Sequence, residues 1–137
     1  MSHNVRNDFE RIRSDHRSEV AEDYLEAIAH FIELNGECRG ADLAKNFSVS
    51  HATVTQTLAR LKDAGLVKTT PYGPVQLTRK GSHLAERSRE RHEIVLAFLL
   101  AIGVSKDVAA ADSEGIEHHV SDETLECLRA FVEKMPS

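Results

Sequence analysis

Six side chains in three separated stretches have the types and spacing to hold a metal ion. Asp23 and Glu26 stand at i and i+3, which on a helix puts both carboxylates on one face. Glu114, Glu117 and His118 repeat the arrangement at i, i+3 and i+4, and His92 lies in the run Arg91-His92-Glu93. Each group alone also has a plain reading, since an acidic pair is commonly a solvated face and a lone histidine a surface or satisfied core residue. The Glu-x-x-Glu-His cluster carries more, because donors so close together repel one another unless a cation intervenes. Four carboxylates, two imidazoles and no thiolate form an oxygen-rich set. It suits a hard or borderline divalent ion in six-coordinate geometry, such as Mn²⁺, better than a tetrahedral Cys-rich zinc site.

The neighbouring candidates are assigned humbler roles. His30, one turn beyond Glu26, is expected to face solvent. His119 is expected to pack or to support the ligands from behind. Cys127, among Leu125, Leu128 and Phe131, is expected to be a small core residue. Cys38 and Cys127 form no CxxC pair, so both are read as reduced thiols.

The elements that must position these groups are mostly helical. Val20, Tyr24, Leu25, Ile28 and Ile32 form a helical stripe over residues 18–34, closed by Asn35-Gly36. Residues 1–17 are expected to form a polar arm or short helix. A short helix follows over 41–46, then a turn at 48–50 with Ser50 as N-cap, and a helix to residue 63 whose buried stripe is Val54, Leu58 and Leu61. Residues 66–70 and 75–78 read as two strands around the turn Pro71-Tyr72-Gly73-Pro74. Two short helices, a tight turn and a hairpin make the order of a winged helix-turn-helix. A long helix over 79–102 follows, and then helices over 106–119 and 122–134, the last capped by Ser121. The second half of the long helix is apolar all round, a surface that a second copy of the chain is expected to cover. The reading is thus mainly α, with a DNA-binding domain at 18–81 and an all-helical dimerisation and metal-binding domain at 82–137.

The formal charge of −5 is unevenly spread. Residues 36–82 hold seven basic and three acidic groups, for +4, while residues 1–35 sum to −4 and residues 83–137 to −5. A basic middle between acidic flanks points to different partners for different parts. The longest apolar run, residues 94–102, is far short of the ~20 residues that span a bilayer, and the polar N-terminus has no secretory signal pattern. No GxGxxG or GxxxxGK[ST] loop is present. A cytoplasmic protein with no membrane partner is expected.

Glu22-Asp23-Tyr24-Leu25-Glu26, Arg91-His92-Glu93 and Glu114-Gly115-Ile116-Glu117-His118-His119-Val120-Ser121 together resemble the manganese-responsive branch of the diphtheria-toxin-repressor family of metal-dependent transcription regulators. The resemblance spans about residues 18–135. It implies a two-ion site held by Asp23, Glu26, His92, Glu114, Glu117 and His118, with Glu114 and Glu117 shared and His118 serving mainly the second ion. Two Mn²⁺ per chain are implied, with Fe²⁺, Zn²⁺, Co²⁺ or Cd²⁺ able to substitute in vitro. The iron-responsive branch has Met where this chain has Asp23 and Cys where it has Glu114. That branch also often carries an SH3-like third domain, for which this chain has no room. A homodimer on a palindromic operator is implied, most simply as a repressor of manganese uptake genes.

On the DNA side, Ser50, Ala52, Thr53 and Gln56 at the start of the recognition helix are the candidates near bases, since Gln can pair with an adenine edge and Ala or Thr can meet a thymine methyl. Arg39, Lys45, Arg60, Lys62, Lys68, Arg79 and Lys80 are the candidates for phosphates. Two rival readings are an enzyme with a carboxylate-bridged metal pair and a winged-helix regulator that answers to a small molecule or to oxidation at Cys38 or Cys127. The first lacks a separate general base and leaves the winged helix unexplained. An iron- or zinc-responsive regulator of the same family is the nearer alternative.

Overall fold

The computed structural model describes the backbone of residues 5–136 and side chains from residue 17 onward. Two compact units, Met1–Ala85 and Glu86–Ser137, are described in turn.

The first unit opens with a single helix, α1, over Val5–Asn35. The stretch read as an arm therefore continues, from Val5 on, into the predicted helix. No Gly or Pro interrupts residues 5–17, so nothing there breaks the hydrogen-bond ladder. Tyr24, Leu25 and Ile28 form the buried face of α1, and the helix ends on Gly36 at φ +84, whose N–H returns to the Ile32 carbonyl. Helices α2 (Gly40–Phe47) and α3 (His51–Asp63) form the helix-turn-helix. Ser48 takes a left-handed conformation between them, and Ser50 accepts the Thr53 N–H as the expected N-cap. Val54 and Leu61 are buried as predicted, but Thr57 replaces Leu58 as the third fully buried residue. The Val54–Leu61 line passes between positions 57 and 58, so both flank it, and Leu58 remains partly buried.

The wing is shorter than the sequence suggests. Strand β1 (Val67–Lys68) pairs antiparallel with β2 (Gln76–Leu77), Val67 opposite Leu77 and Lys68 opposite Gln76. The register would set Thr70 opposite Pro74, which carries no N–H, and this limits the ladder to its base. A further bridge joins Cys38 to Val75. The core of this unit gathers Tyr24, Leu25, Ile28, Leu43, Val54, Leu61, Val67 and Val75, with Tyr24 stacked on Phe47 at 4.5 Å between ring centres.

Helix α4 (Arg79–Ala101) contains the division between the units. The second unit comprises its later part, α5 (Lys106–Ile116) and α6 (Asp122–Lys134). Val95, Ala109 and Leu125 are buried here, and Phe98 meets Phe131 edge to face at 5.6 Å. Ser121 caps α6 by accepting the Thr124 N–H. Cys127 is exposed, which corrects its reading as a core residue: two positions past buried Leu125, it lies about 200° round the helix. His119 is likewise exposed rather than packed. Leu100, Ile102, Val108, Ile116 and Phe131 stay exposed on this unit. Among the described residues no helix is long and apolar enough to cross a membrane.

Candidate metal centre and nucleic-acid interface

The second unit brings His92, Glu114 and Glu117 together. One ligand atom from each lies within 4.8 Å of the others. His92 Nδ1 is 3.1 Å from Glu117 Oε2 and 4.0 Å from Glu114 Oε1. Glu117 is 1% exposed, and its other oxygen, Oε1, is 3.5 Å from His118 Nε2. The Glu117 carboxylate thus spans two imidazoles, one on each oxygen. A carboxylate so deeply buried is costly unless positive charge accompanies it, and an imidazole–carboxylate donor set of this kind fits a divalent cation.

The geometry of that cluster depends on the end of α5. Sequence spacing puts Glu114, Glu117 and His118 on one helical face, but the helix ends at Ile116, with Glu117 as its C-cap and His118 in the turn beyond. Arg91 braces that end. Its Nε donates to the Glu117 carbonyl at 3.0 Å, one terminal nitrogen donates to the Val120 carbonyl, and the other lies 3.5 Å from Asp122 Oδ1. The C-cap carbonyl of α5 and the Val120 carbonyl beyond the turn are thereby satisfied, and the ligand-bearing turn is fastened to the helix that carries His92. Arg91 was visible in sequence only as the neighbour of His92. An arginine facing a helix C-terminus is the signal that could have singled it out.

In the first unit, Asp23 and Glu26 sit on α1 flanking Tyr24 and Leu25, both partly buried. Asp23 borders a cleft that also receives Tyr24, Phe47, Thr53, Thr57 and Arg60, so a candidate ligand and a candidate phosphate contact line one hollow of the DNA-binding unit.

The predicted DNA-facing residues are all exposed: Ser50, Ala52, Thr53, Gln56, Arg60, Arg39, Lys45, Lys62, Lys68, Arg79 and Lys80. Several are already engaged. Ser50 Oγ donates to Thr53 Oγ1 at 3.0 Å as well as capping α3. Lys80 Nζ donates to the Ala64 carbonyl at 3.3 Å, and an Arg60 terminal nitrogen lies 3.5 Å from Thr57 Oγ1. Arg39 donates to the Tyr72 carbonyl and pairs with Glu37. A groove between α3 and the wing is lined by His51, Thr55, Ala59 and Lys62 on one side and Thr70 and Tyr72 on the other. His51 and Thr55 were not singled out from the sequence, although 51, 55, 59 and 62 are spaced as one helical stripe.

The thiols do not support an oxidation sensor at Cys38. That side chain is fully buried, and burial, with a smaller effect from the Asp42 carboxylate, raises its pKa to about 11. The reactive thiolate is therefore scarce at neutral pH.

Comparison with known proteins places both units. Residues 16–75 match the iron-dependent repressor N-terminal DNA-binding domain, and residues 78–136 match the iron-dependent repressor metal-binding and dimerisation domain. The chain is 47% identical over 126 residues to the transcriptional regulator MntR of Escherichia coli O6:H1, covering 92% of this chain and 81% of that one. It is 35% identical over 114 residues to the HTH-type transcriptional regulator MntR of Lysinibacillus sphaericus, covering 83% and 82%. Among solved structures it is similar to a manganese-dependent transcriptional repressor in complex with manganese (TM-score 0.75, 30% identity, 82% of this chain) and to the manganese regulator SloR (TM-score 0.73, 28% identity, 84% of this chain). The chain spans about half the length of those two, 52% and 54%. With its two domains matched in the order DNA binding then metal binding, the chain belongs to the iron-dependent repressor family of metal-dependent DNA-binding transcription regulators, a family of regulators rather than of enzymes.

Proposed function

We propose that the chain is a manganese-dependent, sequence-specific repressor of manganese uptake genes, working in the cytoplasm as a homodimer on a palindromic operator. The observation that carries this reading is the buried Glu117 carboxylate between His92 and His118, beside Glu114, in a unit that matches a metal-binding and dimerisation domain. Asp23 and Glu26 complete the proposed ligand set on the strength of the sequence resemblance, for two ions per chain. Asp23 in place of Met and Glu114 in place of Cys favour manganese over iron, and the names of the manganese-dependent structural relatives point the same way.

When bound, the metal supplies the positive charge that lets these carboxylates lie together. Without it, Asp23, Glu26, Glu114 and Glu117 repel one another, which favours arrangements that keep them apart. Ligands drawn from both the DNA-binding and the dimerisation halves therefore couple ion binding to the placement of α3. The conformer suited to DNA is the one in which two recognition helices of a dimer meet successive major grooves. Ser50, Ala52, Thr53 and Gln56 meet bases, and Arg60, Lys45, Lys62, Lys68 and Arg79 meet phosphates, with Lys80 free to join them if its bond to Ala64 opens. The +4 of residues 36–82 is the electrostatic counterpart of that surface.

The test is DNA binding under metal control. Duplexes selected from a random-sequence library by the Mn²⁺-loaded protein are titrated by gel shift with Mn²⁺, Fe²⁺, Zn²⁺ or a chelator. Binding with Mn²⁺ that chelator abolishes is the expected outcome. Binding that survives the chelator would replace this reading with a regulator that senses something other than metal, and activation by Fe²⁺ alone would overturn the choice of manganese.

A further inference from the structure

The wing is fastened to the head of α2 at two points. The Val75 N–H donates to the Cys38 carbonyl at 2.7 Å, and the next residue, Arg39, donates from Nη1 to the Tyr72 carbonyl at 3.0 Å. The Arg39 Nε is held 3.0 Å from Glu37 Oε1, and its backbone N–H donates to Asp42 Oδ2 at 2.9 Å. Backbone and guanidinium are thus both tied down. Tyr72 has φ +61, a left-handed conformation that a bulky residue avoids, so the shape of the wing tip must be imposed by its surroundings. Arg39 bonds the carbonyl of that same residue. The Tyr72 ring is 100% exposed at the tip, beside the groove that α3 borders.

The charge balance around Arg39 argues against its assignment to a phosphate. Its cation is already matched by Glu37, so it adds little net attraction for an anion, unlike Lys45 or Lys68. We infer that Arg39 is a positioning residue: it sets the wing tip, so that the Tyr72 side chain, rather than the Arg39 guanidinium, meets the DNA. The phenol donates to a phosphate oxygen and the ring lies against the sugar. This rests on the DNA-binding reading given above.

The test uses the full chain as Arg39→Gln, Tyr72→Ala and the double variant. In metal-free protein without DNA, hydrogen exchange at the Gly73 and Val75 amides should quicken in Arg39→Gln, while the melting temperature stays near that of the parent. Unchanged exchange overturns the proposal. With Mn²⁺ and a selected duplex, each single variant should weaken binding about tenfold, as expected for a lost hydrogen bond to a charged or well-placed group. The double variant should lose no more than either single one, since both act through one tip. Additive losses, or a salt slope that falls by about 0.9 per Arg39 removed, would return Arg39 to the phosphate contacts and overturn the proposal. Should Arg39→Gln unfold, Tyr72→Ala still decides, because its side chain touches no core: parent-like DNA binding by that variant overturns the proposal. If the parent binds no duplex with Mn²⁺, the functional reading fails, and the exchange comparison still tests the tie between Arg39 and the wing.

Discussion

Replacing Arg91 by Gln should weaken Mn²⁺ binding without touching a proposed ligand. Arg91 ties the Glu117 and Val120 carbonyls and the Asp122 carboxylate to α4, and it is mostly buried. Gln is too short to span those three acceptors and carries no charge. With the tie gone, the turn holding Glu117 and His118 would be free before metal binds and ordered after. Ordering two backbone residues costs about 1 kcal/mol each at the low end, so about 2 kcal/mol is charged to metal binding. That corresponds to roughly a thirtyfold rise in Kd, within the 10–100-fold range usual for groups that orient ligands. Free Mn²⁺ can be followed by its electron paramagnetic resonance signal as protein is added. Arg129→Gln is the control, because Arg129 pairs with exposed Glu126 on α6 and should leave Kd unchanged. An Arg91→Gln protein that binds Mn²⁺ as tightly as the parent would refute the view that the end of α5 is held from α4.

Four further outcomes are expected. A Cβ on Gly81 would stand 2.0 Å from the Leu66 carbonyl oxygen and 2.9 Å from its carbon, so Gly81→Ala should cost about 3 kcal/mol and lower the melting temperature by roughly 10 °C in a thermal melt. In the native protein Cys127 should react quickly with a thiol reagent and Cys38 only on unfolding. Because the folded pKa of Cys38 is raised from 9.0 to about 11, its contribution to stability is fully present below pH 9 and is lost as pH rises towards 11, so Cys38→Ala should melt less pH-dependently than the parent across that window. On the DNA side, Gln56→Ala should narrow the gap between selected and random duplexes, whereas Arg60→Gln should flatten the salt dependence of both. An unchanged slope for Arg60→Gln would remove it from the phosphate contacts.

The sequence showed the helical order well, because the stripes of α1 and α3 and the caps Ser50 and Ser121 are local signals that tertiary packing left intact. It failed where the outcome depended on residues far away in the chain. The end of α5 is braced by Arg91, twenty-six residues before Glu117, a contact that helical spacing alone does not reveal. The wing ladder stops short because the register would set Thr70 opposite Pro74, which has no N–H to donate. Cys127 was misplaced because it shares its side of α6 with Phe131, which is itself exposed, and not with buried Leu125. Arg39 looked like any other cation in a basic stretch; that it serves the wing rests on a contact thirty-three positions away. Among the proposed ligands, His92, Glu114 and Glu117 lie within reach of one another, a grouping that for His92 only the family resemblance implied.

Linkage gives the metal reading its strictest consequence. If Mn²⁺ raises affinity for DNA by some factor, DNA must raise affinity for Mn²⁺ by the same factor, whatever route joins the two sites. Couplings of this kind usually amount to 1–3 kcal/mol, roughly 5- to 150-fold. The charge distribution argues for a measurable value here: the flanks around the basic middle carry −4 and −5, and two divalent ions would add +4, taking the chain from −5 to about −1 before any proton release. Part of the coupling is therefore simple neutralisation, and that part must shrink as salt is raised, since exposed charges are screened beyond about 10 Å at 0.1 M. Part is geometric and should survive salt. Measuring Mn²⁺ binding with and without a selected duplex at 50 and 500 mM salt separates them. A Mn²⁺ affinity that ignores DNA at both concentrations would mean that ions bind without controlling the protein, and the switch would have to be sought elsewhere.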